Sequence, residues 1–170
     1  MTNFVIETAD DRSGCGLATL IASVYSEYEN CPFVEDELRE LDAVSTHYRG
    51  LGGEIWVARA ADTSGKGTAI IGCLAIVPAL KPGVFELFKM YVAKNARGTG
   101  LAQELYEEAL QWAGARDLKS LRLWTDTRFA SGHRFYEKQG FAKQPVVGYL
   151  GDAGQTWEHL FVCNAPTAPS

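Results

Sequence analysis

The stretch "KNARGTGLAQEL", residues 94–105, joins a run of strand-like residues to an amphipathic helical pattern. Two glycines, Gly98 and Gly100, stand one residue apart at this junction. Glycine has no Cβ, so it allows positive φ angles and a close approach of the backbone to a ligand. The start of a helix also favours anions, because free amides converge there and the helix dipole adds partial positive charge. The stretch therefore predicts either a tight structural turn or a phosphate-binding loop.

Two well-known phosphate loops do not fit this stretch. A Walker A loop has Lys followed by Ser or Thr after its second glycine, whereas Leu101 and Ala102 follow Gly100 here. A dinucleotide fingerprint has a third glycine where Gln103 stands. Asp126 lies at a suitable distance for the acidic residue of that fingerprint, but the strand-helix unit comes late in the chain. From the glycines alone, a plain strand-helix turn remains open.

The surrounding pattern predicts an α/β fold. The strand predicted at 120–126 follows a helix and should therefore lie parallel to the strand at 83–92, which makes a right-handed βαβ unit at the glycine loop. The earlier strands at 54–60 and 69–78 are predicted to form an antiparallel hairpin, so the predicted sheet is mixed. In chain order we predict strands at 4–9, 54–60, 69–78, 83–92, 120–126 and in a hairpin formed by 146–150 and 156–163, with helices at 17–28, 34–50, from 101 and within 131–141.

Composition limits the classes of function. With 170 residues and 46% hydrophobic content, the chain is predicted to form a single domain over 1–163, followed by a flexible tail at 164–170. The net charge is −5 and the sixteen Lys and Arg are scattered, so no nucleic-acid partner is expected. The four cysteines form no Cys-x-x-Cys pair, so neither a metal site nor a disulfide framework is predicted. No apolar run approaches a membrane span, and we expect a cytoplasmic protein without a membrane partner.

Residues 86–141 carry a specific resemblance. Asn95, Gly98 and Gly100 occupy the places of a motif in which Gln or Arg is followed by any two residues, Gly, any residue, and then Gly or Ala. Arg97 stands directly before the first glycine, as is usual in that motif. The stretch resembles the core of the GNAT superfamily of acyl-CoA-dependent N-acyltransferases, with a departure at Asn95. This resemblance implies a GNAT-like α/β fold: a mixed central β-sheet with helices on both faces.

Two further segments extend the resemblance. "KMYV" at 89–92 is similar to the family's fourth strand, whose backbone pairs with the pantetheine arm of coenzyme A. "FYEKQGF" at 135–141 is similar to the end of the family's fourth helix. Phe129 stands where the family often has Asn, seven residues before Tyr136. The resemblance therefore implies acetyl-CoA as co-substrate and no metal, with the cofactor bound by Met90, Tyr91, Val92, Arg97, Gly98, Thr99, Gly100, Leu101 and Ala102.

The resemblance also implies catalytic roles. Tyr136 takes the place of the family's usual tyrosine, which donates a proton to the leaving thiolate, although an aromatic residue on a short amphipathic helix also fits plain core packing. Glu86 stands where some members keep a carboxylate base, while others use water, and an ordinary strand-end carboxylate is the structural alternative. Backbone amides around Met90 and Tyr91 are the expected donors to the oxyanion.

These observations predict an N-acetyltransferase that moves an acetyl group from acetyl-CoA to a small-molecule amine by direct attack in a ternary complex. The alternative is a non-catalytic module that binds or senses acyl-CoA. Aromatic and acidic residues mix over 25–37, which indicates either a site for a cationic amine or a solvated acidic face. A homodimer is the default expectation from the family.

Overall fold

Seven β-strands form one mixed sheet at the centre of the computed structural model, which describes residues 4–61 and 69–166. The strand order is β1-β2-β3-β4-β5-β7-β6. Within the described residues, β4 and β5 pair in parallel and all other neighbours pair antiparallel. The strands are β1 (Phe4–Thr8), β2 (Glu54–Ala60), β3 (Ile70–Pro78), β4 (Val84–Val92), β5 (Ser120–Asp126), β6 (Ala142–Tyr149) and β7 (Trp157–Asn164).

Helices cover both faces of the sheet. Helices α1 and α2 pack on one face over Ile55, Val57 and Cys73, and α3 and α4 pack on the other. Alternation along the strands separates the two hydrophobic clusters, because successive side chains of a strand point to opposite faces. Among the described residues, no helix is both long and apolar enough to cross a membrane. The helices are α1 (Gly14–Tyr25), α2 (Val44–Gly50), α3 (Leu101–Gly114) and α4 (Ala130–Lys138).

The predicted mixed α/β sheet, with its antiparallel early strands and its βαβ unit, is confirmed. The β6 strand begins at Ala142, earlier than predicted, and its pairing with β7 is irregular between Lys143 and Val147. β7 includes Asn164, the first residue of the predicted tail. The predicted loop between β2 and β3 and the end of the tail fall on 62–68 and 167–170, outside the described residues.

The predicted helix at 34–50 is wrong over its first part. Two short 3₁₀ segments, Glu35–Glu37 and Arg39–Ala43, precede α2. Ala43 has φ −147° and ψ 61°, which is not helical and separates these turns from α2. The backbone leaves the helical region twice, since Leu38 also has non-helical angles of φ −126° and ψ 40°. Leu38, Leu41 and Val44 recur every third residue, a spacing that suits one face of either kind of helix, so the apolar pattern did not reveal these breaks.

A β-bulge interrupts β4 near its end. Between Ala75 and Cys73 of β3, the paired residues of β4 advance from Phe88 to Tyr91, so β4 carries one extra residue. Lys89, within the bulge, has φ +54°, and its carbonyl accepts a hydrogen bond from Cys73 Sγ at 3.0 Å. A bulge bends its strand and increases the local twist.

The parallel pairing of β4 and β5 ends just before the bulge. The last paired residues are Leu87 and Leu123, although β5 continues to Asp126 and β4 to Val92. Beyond this point the two strands diverge and leave an open wedge in the middle of the sheet. The bulge and the wedge together set the position of the clefts described below.

Gly14, the first residue of α1, allows the backbone of this helix to approach the backbone at Leu41 closely. A Cβ at Gly14 would lie 1.9 Å from the backbone carbonyl oxygen of Leu41, which is buried. We expect Gly14→Ala to lower the free energy of unfolding by about 2 kcal/mol, because the backbone must shift to relieve the overlap. Urea denaturation of this variant and of Gly50→Ala measures the effect. A Cβ at Gly50 meets nothing within 4 Å, so equal stabilities of the two variants would contradict the contact.

Candidate active site

Two clefts meet at the wedge between β4 and β5. One, of about 430 Å³, opens on the face of the sheet that carries α1 and α2. The other, of about 490 Å³, lies between the glycine loop and α4. We call them the acidic cleft and the glycine-loop cleft, after their lining residues. Both are lined by Met90, Tyr91, Thr125, Phe129 and Tyr136, so they share a wall at the wedge.

The glycine loop has the backbone that its sequence predicts. Gly98 has φ +77° and Gly100 has φ +92°, a region that favours glycine. A Cβ built at either residue meets nothing within 4 Å, so both glycines border open space. Leu101 and Ala102 line the cleft in the first turn of α3, where amides have no intrahelical partner. The loop can therefore hold an anion against free amides at the start of a helix.

The charged side chains that line the glycine-loop cleft are basic. Arg97, Arg134 and Lys138 line it, and its described lining contains no Asp or Glu. The Arg97 guanidinium donates two hydrogen bonds of 2.7 Å to Glu27, which follows α1, and one of 3.2 Å to the carbonyl of Val92. The bond to Glu27 raises the pKa of Arg97. This ion pair ties the end of α1 to the glycine loop.

The structure brings most of the predicted cofactor residues together. Thr99 is the exception, since it does not contribute to the described lining of the glycine-loop cleft. Its hydroxyl donates to the carbonyl of Ala96 at 2.7 Å and so holds the turn before α3. The predicted residues that line this cleft are Met90, Tyr91, Val92, Arg97, Gly98, Gly100, Leu101 and Ala102.

Tyr136, on α4, lies where the two clefts join. Its ring packs against Phe141 and Phe161, with ring centroids 5.9 Å and 6.0 Å away. Burial raises the pKa of Tyr136, so the phenol stays protonated at neutral pH. Within the described residues its hydroxyl has no hydrogen-bond partner. The side chain thus combines the core packing and the available proton donor that the sequence left as alternatives.

Glu86 also reaches the acidic cleft. Its side chain is 14% exposed, and one carboxylate oxygen accepts a hydrogen bond of 2.6 Å from Arg122 Nε. The pair follows from register, because Glu86 and Arg122 are direct neighbours across the parallel strands. The predicted base is therefore an ion-paired carboxylate, and one of its oxygens is engaged by the protein.

A polar network at the end of β5 was missed by sequence reasoning. Arg128 donates to both carboxylate oxygens of Asp126, including 2.6 Å from Nη2 to Oδ2. The same guanidinium donates to Thr156 Oγ1 at 2.9 Å and to the carbonyl of Asn30. It therefore joins β5, the start of β7 and the segment after α1. Polar residues directly after a parallel strand, as in "TDTR" at 125–128, were the available signal, because ligands bind at such strand ends in α/β sheets.

The acidic cleft carries a strong excess of negative charge. The predicted acceptor segment, 25–37, supplies part of its wall, including Tyr25 and Glu37. Lys89 and Arg128 are the cations of its described lining, and each pairs with a carboxylate. Such a cleft attracts cations and repels anions. The carboxylates in the lining are Glu37, Glu40, Glu86, Asp126, Asp152 and Glu158.

Comparison with known proteins identifies the class that this fold and these clefts define. A family model described as the acetyltransferase (GNAT) family matches residues 21–141, which is most of the chain. The protein therefore belongs to the GNAT acetyltransferase family. The resemblance read from the sequence is confirmed.

Individual relatives agree with this assignment. An IAA acetyltransferase of Azospirillum brasilense is 34% identical over 82 residues, which cover 48% of this chain and 54% of the relative. The chain thus matches about half the length of this curated relative. A GNAT-family acetyltransferase from Staphylococcus aureus Mu50 has a TM-score of 0.78 and 18% identity over 95% of this chain and 99% of its own. A chain of the NatC complex bound to Gag peptide and CoA has a TM-score of 0.69 and 17% identity, covering 95% of this chain and 98% of that one.

The Arg128 network should stabilise the fold as well as shape the cleft. We expect Arg128→Leu to lower the free energy of unfolding by about 2 kcal/mol, because buried Asp126 loses its charged donor. Adding Asp126→Asn should restore part of the loss, as measured by a double-mutant cycle in urea. Arg12→Ala, which breaks an exposed ion pair, is the control and should have no measurable effect. Strictly additive losses would contradict the coupling.

Proposed function

We propose that the protein is an acetyl-CoA-dependent N-acetyltransferase whose acceptor is a small cationic amine, with direct attack in a ternary complex. The observation that carries this proposal is the meeting of two clefts of opposite charge at the wedge between β4 and β5. One cleft suits a phosphorylated thioester and the other suits an ammonium ion. The shared wall at Met90, Tyr91 and Tyr136 is where the two reactants would meet.

Coenzyme A fits the residues of the glycine-loop cleft. The open space at Gly98 and Gly100 leaves room for a pyrophosphate against the first amides of α3, and Arg134 and Lys138 add positive charge. The remainder of this cleft is largely apolar, as a pantetheine arm requires. The NatC neighbour, which is described as bound to CoA, supports the same ligand. Bound acetyl-CoA would supply the activated acetyl group.

Three groups of this chain would serve the transfer. Tyr136 would donate a proton to the sulfur as the thiolate leaves, which its protonated phenol at the shared wall suits. Amides around Met90 and Tyr91, in and after the bulge, are the donors to the oxyanion that the sequence suggests, and the Tyr91 amide also faces the Cys73 thiol. Glu86 or water is the base that the sequence suggests, and Glu86 already forms an ion pair with Arg122.

Calorimetric titration with acetyl-CoA tests the first half of the proposal, with ATP and NAD as controls. Selective binding of acetyl-CoA is expected. Incubation with acetyl-CoA and a series of primary monoamines, from ethylamine to phenethylamine, then tests transfer through release of free thiol. Binding without transfer to any amine would favour the non-catalytic acyl-CoA-binding module. No binding in a folded sample would refute the assignment of the glycine loop.

Gly100 offers a sharp test of the cofactor site. Gly100→Ala should cost about 1 kcal/mol of stability, because alanine is strained at φ +92°, and should weaken acetyl-CoA binding by roughly tenfold as its methyl group enters the cleft. Gly114→Ala is the matched control within the same helix, since its Cβ also meets nothing within 4 Å. The control should leave affinity unchanged. Unchanged affinity in Gly100→Ala, measured by calorimetry, would argue against this loop.

Tyr136→Phe should lower kcat by roughly 100-fold and leave acetyl-CoA affinity nearly unchanged, because only the proton donor is removed. Tyr106→Phe removes a phenol of similar burial from α3, away from both clefts, and serves as the control. Steady-state kinetics with the best monoamine gives kcat, and calorimetry gives affinity. A kcat equal to that of the wild type would remove Tyr136 from the mechanism.

A further inference from the structure

Glu158 lies on β7 at the open end of the wedge. It pairs with Asp126 of β5 and with Gly148 of β6, and its side chain lines the acidic cleft. Asp126 is three residues beyond Leu123, the last residue of β5 that pairs with β4. Glu158 therefore lies past the point where β4 and β5 separate, on the same face of the sheet as the acidic cleft. Sequence reasoning did not single it out, because only strand register brings it there.

The protein itself holds two other carboxylates of this cleft through neutral donors. Glu37 accepts a hydrogen bond of 2.8 Å from the amide of Ala153. Asp152 accepts hydrogen bonds of 2.7 Å from both the amide and the hydroxyl of Thr156. These two carboxylates brace the loop before β7 and the wall that faces it.

The remaining carboxylates have cationic partners. Glu40 pairs with Lys89, Glu86 pairs with Arg122, and Asp126 is held by Arg128 as described above. Within the described residues, Glu158 is the one carboxylate of the acidic cleft that accepts no hydrogen bond and forms no ion pair. A partly buried charge without a partner is unfavourable, and it is stabilised when a ligand supplies the opposite charge.

The surroundings of Glu158 favour its protonated form. Burial is the largest cause that raises its pKa, and the neighbouring charges of Asp126, Asp152 and Glu86 raise it further. Lys89 is the cation that opposes this effect, and it is already paired with Glu40. A carboxylate in this setting is a stronger proton acceptor than an ordinary glutamate, which is the property that a general base requires.

We propose that Glu158 pairs with the ammonium group of the acceptor and takes its proton before the amine attacks the thioester. This inference rests on the proposed function and assigns its base. Glu86, whose charge Arg122 offsets, contributes to the potential of the cleft and is not the proton acceptor. The paired oxygen of Glu86 and the unpaired carboxylate of Glu158 are the observations that separate the two roles.

The proton balance of this step is complete. The ammonium transfers one proton to the Glu158 carboxylate, which becomes a carboxylic acid, and leaves a neutral amine. The nitrogen lone pair forms the C–N bond as the C–S bond breaks, and the electron pair of that bond leaves on sulfur. Tyr136 donates its proton to the thiolate, and the extra proton that the new amide nitrogen loses restores the Tyr136 phenol through water. Glu158 then returns its proton to water.

The test compares pH profiles of kcat/KM for the best monoamine in wild type, Glu158→Gln and Glu86→Gln. In the wild type, kcat/KM should rise as Glu158 loses its proton and then level off. In Glu158→Gln, kcat/KM near pH 7 should fall by roughly 100-fold and rise tenfold per pH unit up to the pKa of the amine itself, because only free amine reacts. In Glu86→Gln the rise should persist and move to lower pH, since one repelling charge is gone.

Fold and cofactor binding are checked by thermal melting and by acetyl-CoA affinity, which Glu158→Gln should not change. If that variant fails to fold, Glu158→Asp replaces it. Because aspartate keeps the carboxylate but is one methylene shorter, we expect a lower kcat/KM that still rises with pH as the carboxyl group loses its proton. A profile of Glu158→Gln that matches wild type overturns the role of Glu158 and leaves the proposed function standing. A wild type that binds acetyl-CoA but acetylates no amine overturns both the inference and the acceptor class.

Discussion

The extra residue in β4 is the constraint on which the rest of the site depends. Because the bulge at Lys89 bends the strand, the parallel ladder with β5 stops at Leu87 and Leu123. A continuous ladder would close the sheet and separate the two faces completely. The divergence instead opens a passage through the sheet, so a ligand from the α3 face and one from the α1 face can meet. Cys73, whose thiol donates to the bulged carbonyl, helps to hold this geometry.

The two faces of the sheet carry opposite charges around their clefts. The face with α3 and α4 presents helix amides and basic side chains around its cleft, and the opposite face presents carboxylates. The sheet between them is a low-dielectric partition, so each ligand experiences mainly the potential of its own side. Arg97 is the basic residue of the glycine loop that crosses this division, through Glu27 at the end of α1.

Local pattern predicted the parts of the structure that depend on local interactions. The glycine loop and the βαβ unit follow from strand and helix periodicity and from the backbone needs of Gly98 and Gly100. The helix at 34–50 failed because the apolar spacing of this segment does not reveal the backbone breaks at Leu38 and Ala43. Glu158 and Arg128 could not be placed, since their neighbours depend on the pairing of β5 with β7 and on a contact to a carbonyl 98 positions away. The proposed role of Tyr136 as proton donor to the thiolate came from family resemblance.

The two 3₁₀ segments before α2 have a consequence for how such a chain can diversify. Together with Leu38, which lies between them, they supply Glu37 and Glu40 to the wall of the acidic cleft, but they take no part in the strand ladder. Leu41 alone among their residues is fully packed into the core. Replacement of Leu38 therefore leaves the register of the sheet and the glycine loop untouched, whereas Glu40 contacts the bulge through Lys89 and Glu37 contacts the loop before β7. Sequence change at this wall can therefore alter the shape and charge of the acidic cleft while the glycine loop stays as it is.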